Sequence, residues 1–310
     1  MRPLVLVTTT NINREDWLLA RRKGIGGSDI AALVGMSKYN SPMTVYMDKI
    51  GEMPATEENE AMYWGNVLEE VVAKEFEKRS GLKVRKKNAI MQHPQYEMAL
   101  ANVDRLVVGK NEGLECKTTS AFLLNEWNEE EVPPAYFLQC QWYMAVTSYQ
   151  RWHLAVLIGG NTFKFFTIDR DDELINVLLS KAKDFWNDHV LKHEPPIFDG
   201  SDASSELLAY MYPESTADEE IELSPDADKW LSELKKIKEQ EKEIKKKKTE
   251  AENNMKAEMG TAEIGRVNGQ TVTWKSVEAN RIDTKALKKE NADLVERYMV
   301  SSQSRRLLIK

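Results

Sequence analysis

Between Tyr96 and Thr118 the sequence holds three short strand-like runs, Tyr96 to Val103, Arg105 to Val108 and Gly113 to Thr118, with Lys110-Asn111-Glu112-Gly113 as a hairpin-like turn between the last two. A strand leaves backbone donors and acceptors open until a neighbour takes them, so these runs commit the chain to a sheet. Side chains alternate across a strand, which places Glu115 and Lys117 on one face and Cys116 on the other. A pairing of 103–108 with 113–118 is expected to bring Asp104 opposite Lys117 or close to it. Two carboxylates and one ammonium then share a small space.

The flanking pattern sets the fold class. Apolar Val67, Leu68, Val71, Val72 and Phe76 recur at three to four residues between Tyr63 and Arg79, which predicts an amphipathic helix ending at Gly81. A strand-like run at 82–91 precedes those of 96–118. A helix from about Ala135 to Thr147, strands at 151–158 and 162–168 and a helix over 173–189 follow. This order is a mixed α/β (α+β) domain rather than a βαβ series. Neither GxGxxG nor GxxxxGK[ST] occurs, which removes support for nucleotide-cofactor folds.

The character changes after Pro195-Pro196. Residues 1–195 are read as the first domain and 196–225 as a linker or wrapping segment. Residues 226–310 form a C-terminal extension with a long helix, a β-hairpin signalled by Asn268-Gly269, and a short helix. Trp230, Leu234, Ile237 and Ile244 repeat along the long helix, but Glu241 and Lys248 break the heptad and favour a packing helix over a self-associating coiled coil.

The net charge of −7 argues against a generally basic DNA coat, although a local positive groove can bind phosphates on an acidic protein. Two cysteines, Cys116 and Cys140, exclude a cysteine-rich zinc site or disulfide scaffold. The scattered histidines 93, 153, 189 and 193 show no HExxH arrangement and are read as structural. No signal-peptide pattern opens the chain and no apolar run of membrane-spanning length occurs, so a soluble, intracellular protein without membrane partners is expected.

Carboxylates hold a hard cation such as Mg²⁺ through oxygen, and such a cation polarises a phosphodiester and acidifies bound water. Lys117 can orient the attacking water or neutralise developing charge, and the backbone carbonyl of Cys116 can add an oxygen ligand. Glu69, on the helix after Gly65, is the best additional ligand. On spacing alone an alternative stands: Asp104 caps a turn, and Glu115 with Lys117 forms a cross-strand ion pair on a solvated face.

Asp104 followed by Glu115-x-Lys117 resembles the PD-(D/E)xK nuclease superfamily, with Asn102-Val103 where a Pro usually precedes the Asp. More specifically, residues from about 14 to 160 resemble the YqaJ-type viral recombinase family, relatives of the phage lambda exonuclease. The resemblance runs through Trp17, Arg21 to Ile30, Trp64 to Glu69, Asn102 to Asp104, Leu114 to Thr118 and Gln139 to Met144. It implies a restriction-endonuclease-like core, a central mixed sheet flanked by helices. Glu69, Asp104 and Glu115 would be metal-binding carboxylates and Lys117 the catalytic lysine, serving a pair of Mg²⁺ ions for which Mn²⁺ can substitute. The implied activity is a 5′-to-3′ exonuclease on linear double-stranded DNA that exposes 3′ single-stranded tails for recombination. Implied with it are a homotrimeric ring, a single-strand annealing protein as partner, and a phage or prophage protein in the bacterial cytoplasm. An endonuclease or an exonuclease of other polarity with the same core, and a non-catalytic DNA-binding scaffold, are the competing readings.

An end-recognising enzyme needs a handle on the terminal phosphate. Arg22 can grip it bidentately and Ser28 can donate to it, and the resemblance assigns the Arg and Ser of this segment to the 5′-phosphate. The plainer reading makes Arg21, Arg22 and Lys23 helix-terminal charges and Ser28 a cap. Gln139 and Tyr143 stand one helical turn apart, able to contact a base or to orient the water and the lysine, or else to sit at the core edge. Trp64, Trp127, Trp142 and Trp152 are expected in the core rather than as stacking platforms.

Overall fold

The computed structural model describes residues 2–53, 59–127, 132–301 and 304–309. The chain divides after Pro213 into two units. The first begins with β1 (Leu4–Thr8), α1 (Arg14–Arg21), α2 (Gly27–Leu33), α3 (Pro42–Ile50) and α4 (Glu60–Ser80). It continues with β2 (Val84–Lys86), β3 (Ala89–Gln92), β4 (Leu100–Asn102), β5 (Arg105–Val107) and β6 (Glu112–Thr119), then a short 3₁₀ helix, Ala121–Glu126. It ends with α5 (Pro134–Thr147), β7 (Arg151–Ile158), β8 (Thr162–Asp169), α6 (Asp172–Phe185) and α7 (Asp202–Met211).

β2, β5, β6, β7 and β8 form one five-stranded sheet in that order, and β1, β3 and β4 a second sheet of three. The run expected at 82–91 is thus split between sheets, β2 joining one and β3 the other. β6 and β7 run parallel and every other pair in the five-stranded sheet is antiparallel. A parallel pair needs a crossover, and α5 supplies it. Alternation along the strands separates two layers. Leu154 and Val156 of β7 join a core with Trp142 and Met144 of α5, while Ala155 and Leu114 pack with Val72, Ala73 and Phe76 of α4. The central strands are therefore covered on both faces, as the mixed α/β expectation requires.

The pairing of β5 with β6 corrects the expected register. Arg105 lies opposite Leu114 and Leu106 opposite Gly113, so continuing the ladder by one residue sets Asp104 against Glu115 rather than Lys117. The segment 196–225 also differs from a plain linker: α7 buries Ala203 and Leu207 in the first unit, and the division falls at Pro213.

The second unit contains α8 (Pro225–Met259), the hairpin β9 (Ile264–Val267) and β10 (Gln270–Thr273), α9 (Thr284–Glu290) and α10 (Ala292–Arg297). Asn268 and Gly269 both take positive φ between the hairpin strands, the geometry of a two-residue primed turn. No residue of α8 is buried, which leaves Trp230, Leu234, Ile237 and Ile244 exposed. Among the described residues no helix is long and apolar enough to cross a membrane.

Gly113 of β6 lies opposite Trp152 of β7. A Cβ there would stand 2.3 Å from the fully buried indole of Trp152. Gly113→Ala should therefore lower unfolding stability by about 1–3 kcal/mol through overpacking, read as a shift in the urea midpoint.

Candidate active site

The C-terminal half of β6 projects beyond the end of β5, and this step in the sheet makes the site. Asp104, just before β5, turns its carboxylate into the gap: Oδ2 accepts the Cys116 N–H at 2.8 Å, doing the work of a missing strand residue. Glu115, almost fully buried, receives Lys117 Nζ at 2.6 Å and Gln139 Nε2 at 2.8 Å, both on Oε1. Gln139 also donates to the Tyr143 hydroxyl at 2.7 Å, and that hydroxyl donates to the Asn102 carbonyl at 3.1 Å. Gln139 and Tyr143 of α5 are thus buried supports of Glu115. Lys117 also stands over the Tyr136 ring, 5.0 Å from its centre. Cys116 faces α4 with Leu114, so its thiol lies on the opposite face from Glu115, and burial raises its pKa.

Burial, with the carboxylates of Glu115 and Glu69 beside it, pushes Asp104 well above the ordinary aspartate range, and Lys117 and the Cys116 amide only partly oppose this. Burial alone would lower Lys117, but Glu115 and Asp104 hold its pKa above the usual lysine value. Carboxylates crowded this way want a cation.

The fit to a divalent metal can be judged from the donors. Glu115 Oε2 is buried without a hydrogen-bond partner, a costly arrangement that a hard cation would relieve. Asp104 adds a second carboxylate. N–H and C=O of one strand residue face the same side, so the Cys116 carbonyl points toward the edge where Asp104 sits. The third expected ligand is turned aside: Glu69 is ion-paired with Arg105. Accordingly, among the described residues no three His, Cys, Asp or Glu side chains close on one point. Asp104 and Glu115 fit a divalent cation as they stand, and Glu69 borders the same charge cluster without yet reaching it.

A cleft of about 210 Å³ opens above these acids, and its other wall is the Gly-rich segment before α2. Here the structure separates two neighbouring arginines. Arg22 points away, its Nε 3.6 Å from Asp48 of α3. Arg21 lines the cleft, donating from Nη2 to Ser28 Oγ at 3.2 Å and stacking on Trp17 at 4.6 Å. Of the two, Arg21 and not Arg22 is the one that lines the cleft. The signal was in the sequence: Trp17 and Arg21 are four residues apart on α1 and must share a face. Gly27 admits α5 to this wall, since a Cβ there would lie 2.5 Å from the Tyr143 ring.

Trp127, Trp142 and Trp152 are core residues as expected, whereas Trp64 is half exposed on α4. His153 bonds Thr167 and Glu112, and His93 accepts two backbone amides, both structural roles.

The class defined by this fold and site is confirmed by comparison. Residues 16–150 match the model of the YqaJ-like viral recombinase domain. The uncharacterized protein YqaJ of Bacillus subtilis (strain 168) is 44% identical over 312 residues, spanning 100% of this chain and 98% of that protein. The chain belongs to the YqaJ family. Among solved structures, that of LHK-Exo in complex with dAMP aligns with a TM-score of 0.50 at 21% identity, over 64% of this chain and 97% of that one. A second, of the alkaline exonuclease LHK-Exo from Laribacter hongkongensis, gives 0.49 at 19% identity over 64% of this chain and 100% of that one. At 21% identity the first of these shows a shared fold.

The wall carrying Arg21 and Ser28 is anchored by Asp29, which accepts the Gly26 amide at 2.8 Å and pairs with the fully buried Lys49 at 2.7 Å. Burial alone would raise Asp29, but Lys49, Arg21 and the Gly26 amide outweigh it and depress its pKa. Its stabilisation is thus present above the unfolded-state value and lost as pH falls through the folded one. Lys49→Met should cost about 3–5 kcal/mol at neutral pH by leaving a buried carboxylate unpaired. In urea unfolding the gap to the parent protein should narrow below about pH 4, where the unfolded Asp takes up its proton.

Proposed function

We propose that this protein is a metal-dependent 5′-to-3′ exonuclease acting on linear double-stranded DNA, leaving 3′ single-stranded tails for a recombination partner of the annealing type. The observation that carries the reading is one cleft in which Asp104 and Glu115 lie beneath Arg21 and Ser28, with Lys117 paired to Glu115 at its edge. Family membership and the exonuclease fold support it further.

Asp104 and Glu115, with Glu69 and the Cys116 carbonyl, would hold Mg²⁺. Once bound it supplies Lewis-acid polarisation of the scissile phosphate and a more acidic water. The chain's own groups do the rest. Lys117, charged and fixed by Glu115, neutralises the negative charge that develops on the phosphoryl oxygens. Gln139 holds Glu115 in place through Oε1 and leaves Oε2 to face the cleft. Arg21 and Ser28 bind the terminal 5′-phosphate and so set which phosphodiester reaches the acids. The same family likeness supports a ring of three copies around the duplex and a pair of metal ions, with Mn²⁺ able to replace Mg²⁺.

The deciding assay compares a 5′-phosphorylated linear duplex, the same duplex without the phosphate and a closed circle, each with Mg²⁺ or EDTA. Only the linear forms should be degraded, the phosphorylated one faster, and EDTA should stop the reaction. Efficient cutting of circles would overturn the exonuclease assignment. Lys117→Ala should lower the rate by about 10²–10³-fold or more with the fold intact. Arg21→Ala should erase the preference for the 5′-phosphate while Arg22→Ala keeps it; the reverse pattern would return the role to Arg22.

A further inference from the structure

Arg105 follows Asp104 directly and, by strand alternation, points to the opposite face of the sheet, toward α4. Its side chain is almost wholly buried, yet its charge is not left unpaired. Instead one guanidinium spans two consecutive carboxylates of α4: Nη1 pairs with Glu69 and Nη2 with Glu70 at 3.0 Å. Nη1 also donates to the carbonyl of Asp104 at 2.9 Å, which ties the fork to the backbone carrying the catalytic aspartate.

The packing of α4 explains why such a fork is needed. Its buried residues are Val72, Ala73 and Phe76, all in the C-terminal half. The N-terminal half exposes Met62, Tyr63, Trp64 and Val67 and buries no side chain in the core. Glu69 and Glu70 sit at the boundary. Consecutive helical residues project about 100° apart, so Glu69 and Glu70 leave α4 in different directions and only one of them is offered to Asp104. Hydrophobic contact at Val72, Ala73 and Phe76 fixes the helix, and a rigid two-pronged donor fixes how the two carboxylate side chains ahead of it are turned.

We propose that Arg105 is the positioning residue for the third carboxylate: it holds the Glu69 side chain beside Asp104 so that Glu69, and not Glu70, is offered to the cation held by Asp104 and Glu115. This rests on the metal-dependent reading above. A carboxylate has two oxygens, so Glu69 can keep Arg105 on one and give the other to a metal, the usual way an outer partner orients a ligand. Arginine is required because lysine, a point charge, can satisfy one carboxylate but not hold the angle between two.

The test is Mn²⁺ binding to the DNA-free protein by isothermal titration calorimetry, with circular dichroism to verify folding. Arg105→Met should weaken Mn²⁺ by about 10–100-fold and Arg105→Lys by less. Glu69→Gln should also weaken binding, and adding Arg105→Met to it should change nothing more, because the arginine acts through Glu69. Parent-like affinity in a folded Arg105→Met protein, or an equal loss on the Glu69→Gln background, would overturn the proposal. Should Arg105→Met not fold, Arg105→Lys decides: parent-like affinity there sinks it. A parent protein that binds no Mn²⁺ would instead remove the metal reading itself.

Discussion

Placing carboxylates together in a buried space is expensive, because each raises the cost of ionising the next and none is fully hydrated. In this protein Asp104, Glu115 and Glu69 are brought to one end of the β5–β6 pair, and much of the surrounding architecture answers the resulting charge. Lys117 and Gln139 both approach Glu115 from the cleft side, and Arg105 approaches Glu69 from the other face of the sheet. Asp104 is held by a backbone amide that β5 leaves unpaired where it begins. The start of β5 at Arg105 makes the site: a ladder continued back to Val103, opposite Cys116, would occupy the Cys116 amide and close the gap in which the carboxylates meet.

Two helices serve the site from opposite layers. α5 is the crossover demanded by the parallel β6–β7 pair, so the element that makes the topology possible also delivers Gln139 and Tyr143 to Glu115. α4 is anchored by Phe76 and its neighbours at one end and reaches the acids with the other, where ion pairing replaces core packing. Opposite them, Asp29 and the buried Lys49 fix the Gly-rich turn so that Ser28 and Arg21 overlook the acids. The wall of Arg21 and Ser28 and the floor of carboxylates thus rest on different elements and face one cleft.

Comparison of sequence expectation with structure shows where local rules suffice. The helix over α4, the strands β7 and β8, the amphipathic α6 and the Asn268-Gly269 hairpin were all readable, since each depends on spacing within one segment. The strand β1 and the helix α3 escaped, because β1 has meaning only beside β3 and α3 is short and capped by Ser41 rather than marked by a long apolar stripe. Among Arg21, Arg22 and Lys23 only the four-residue spacing from Trp17 singles out one residue, and which face of α1 turns to the cleft is decided by the packing of that helix.

By itself the sequence determined the chemistry available to this protein: two acids and a lysine on neighbouring strands, with Glu115 and Lys117 forced to one face by the period of a strand. Only the tertiary structure decided how they meet. The antiparallel register set Asp104 against Glu115, the crossover brought Gln139 beneath them, and Arg105 claimed Glu69 from the other layer. Register, crossover and ion pairing between layers are relations between segments far apart in the chain, and residue spacing carries no record of them.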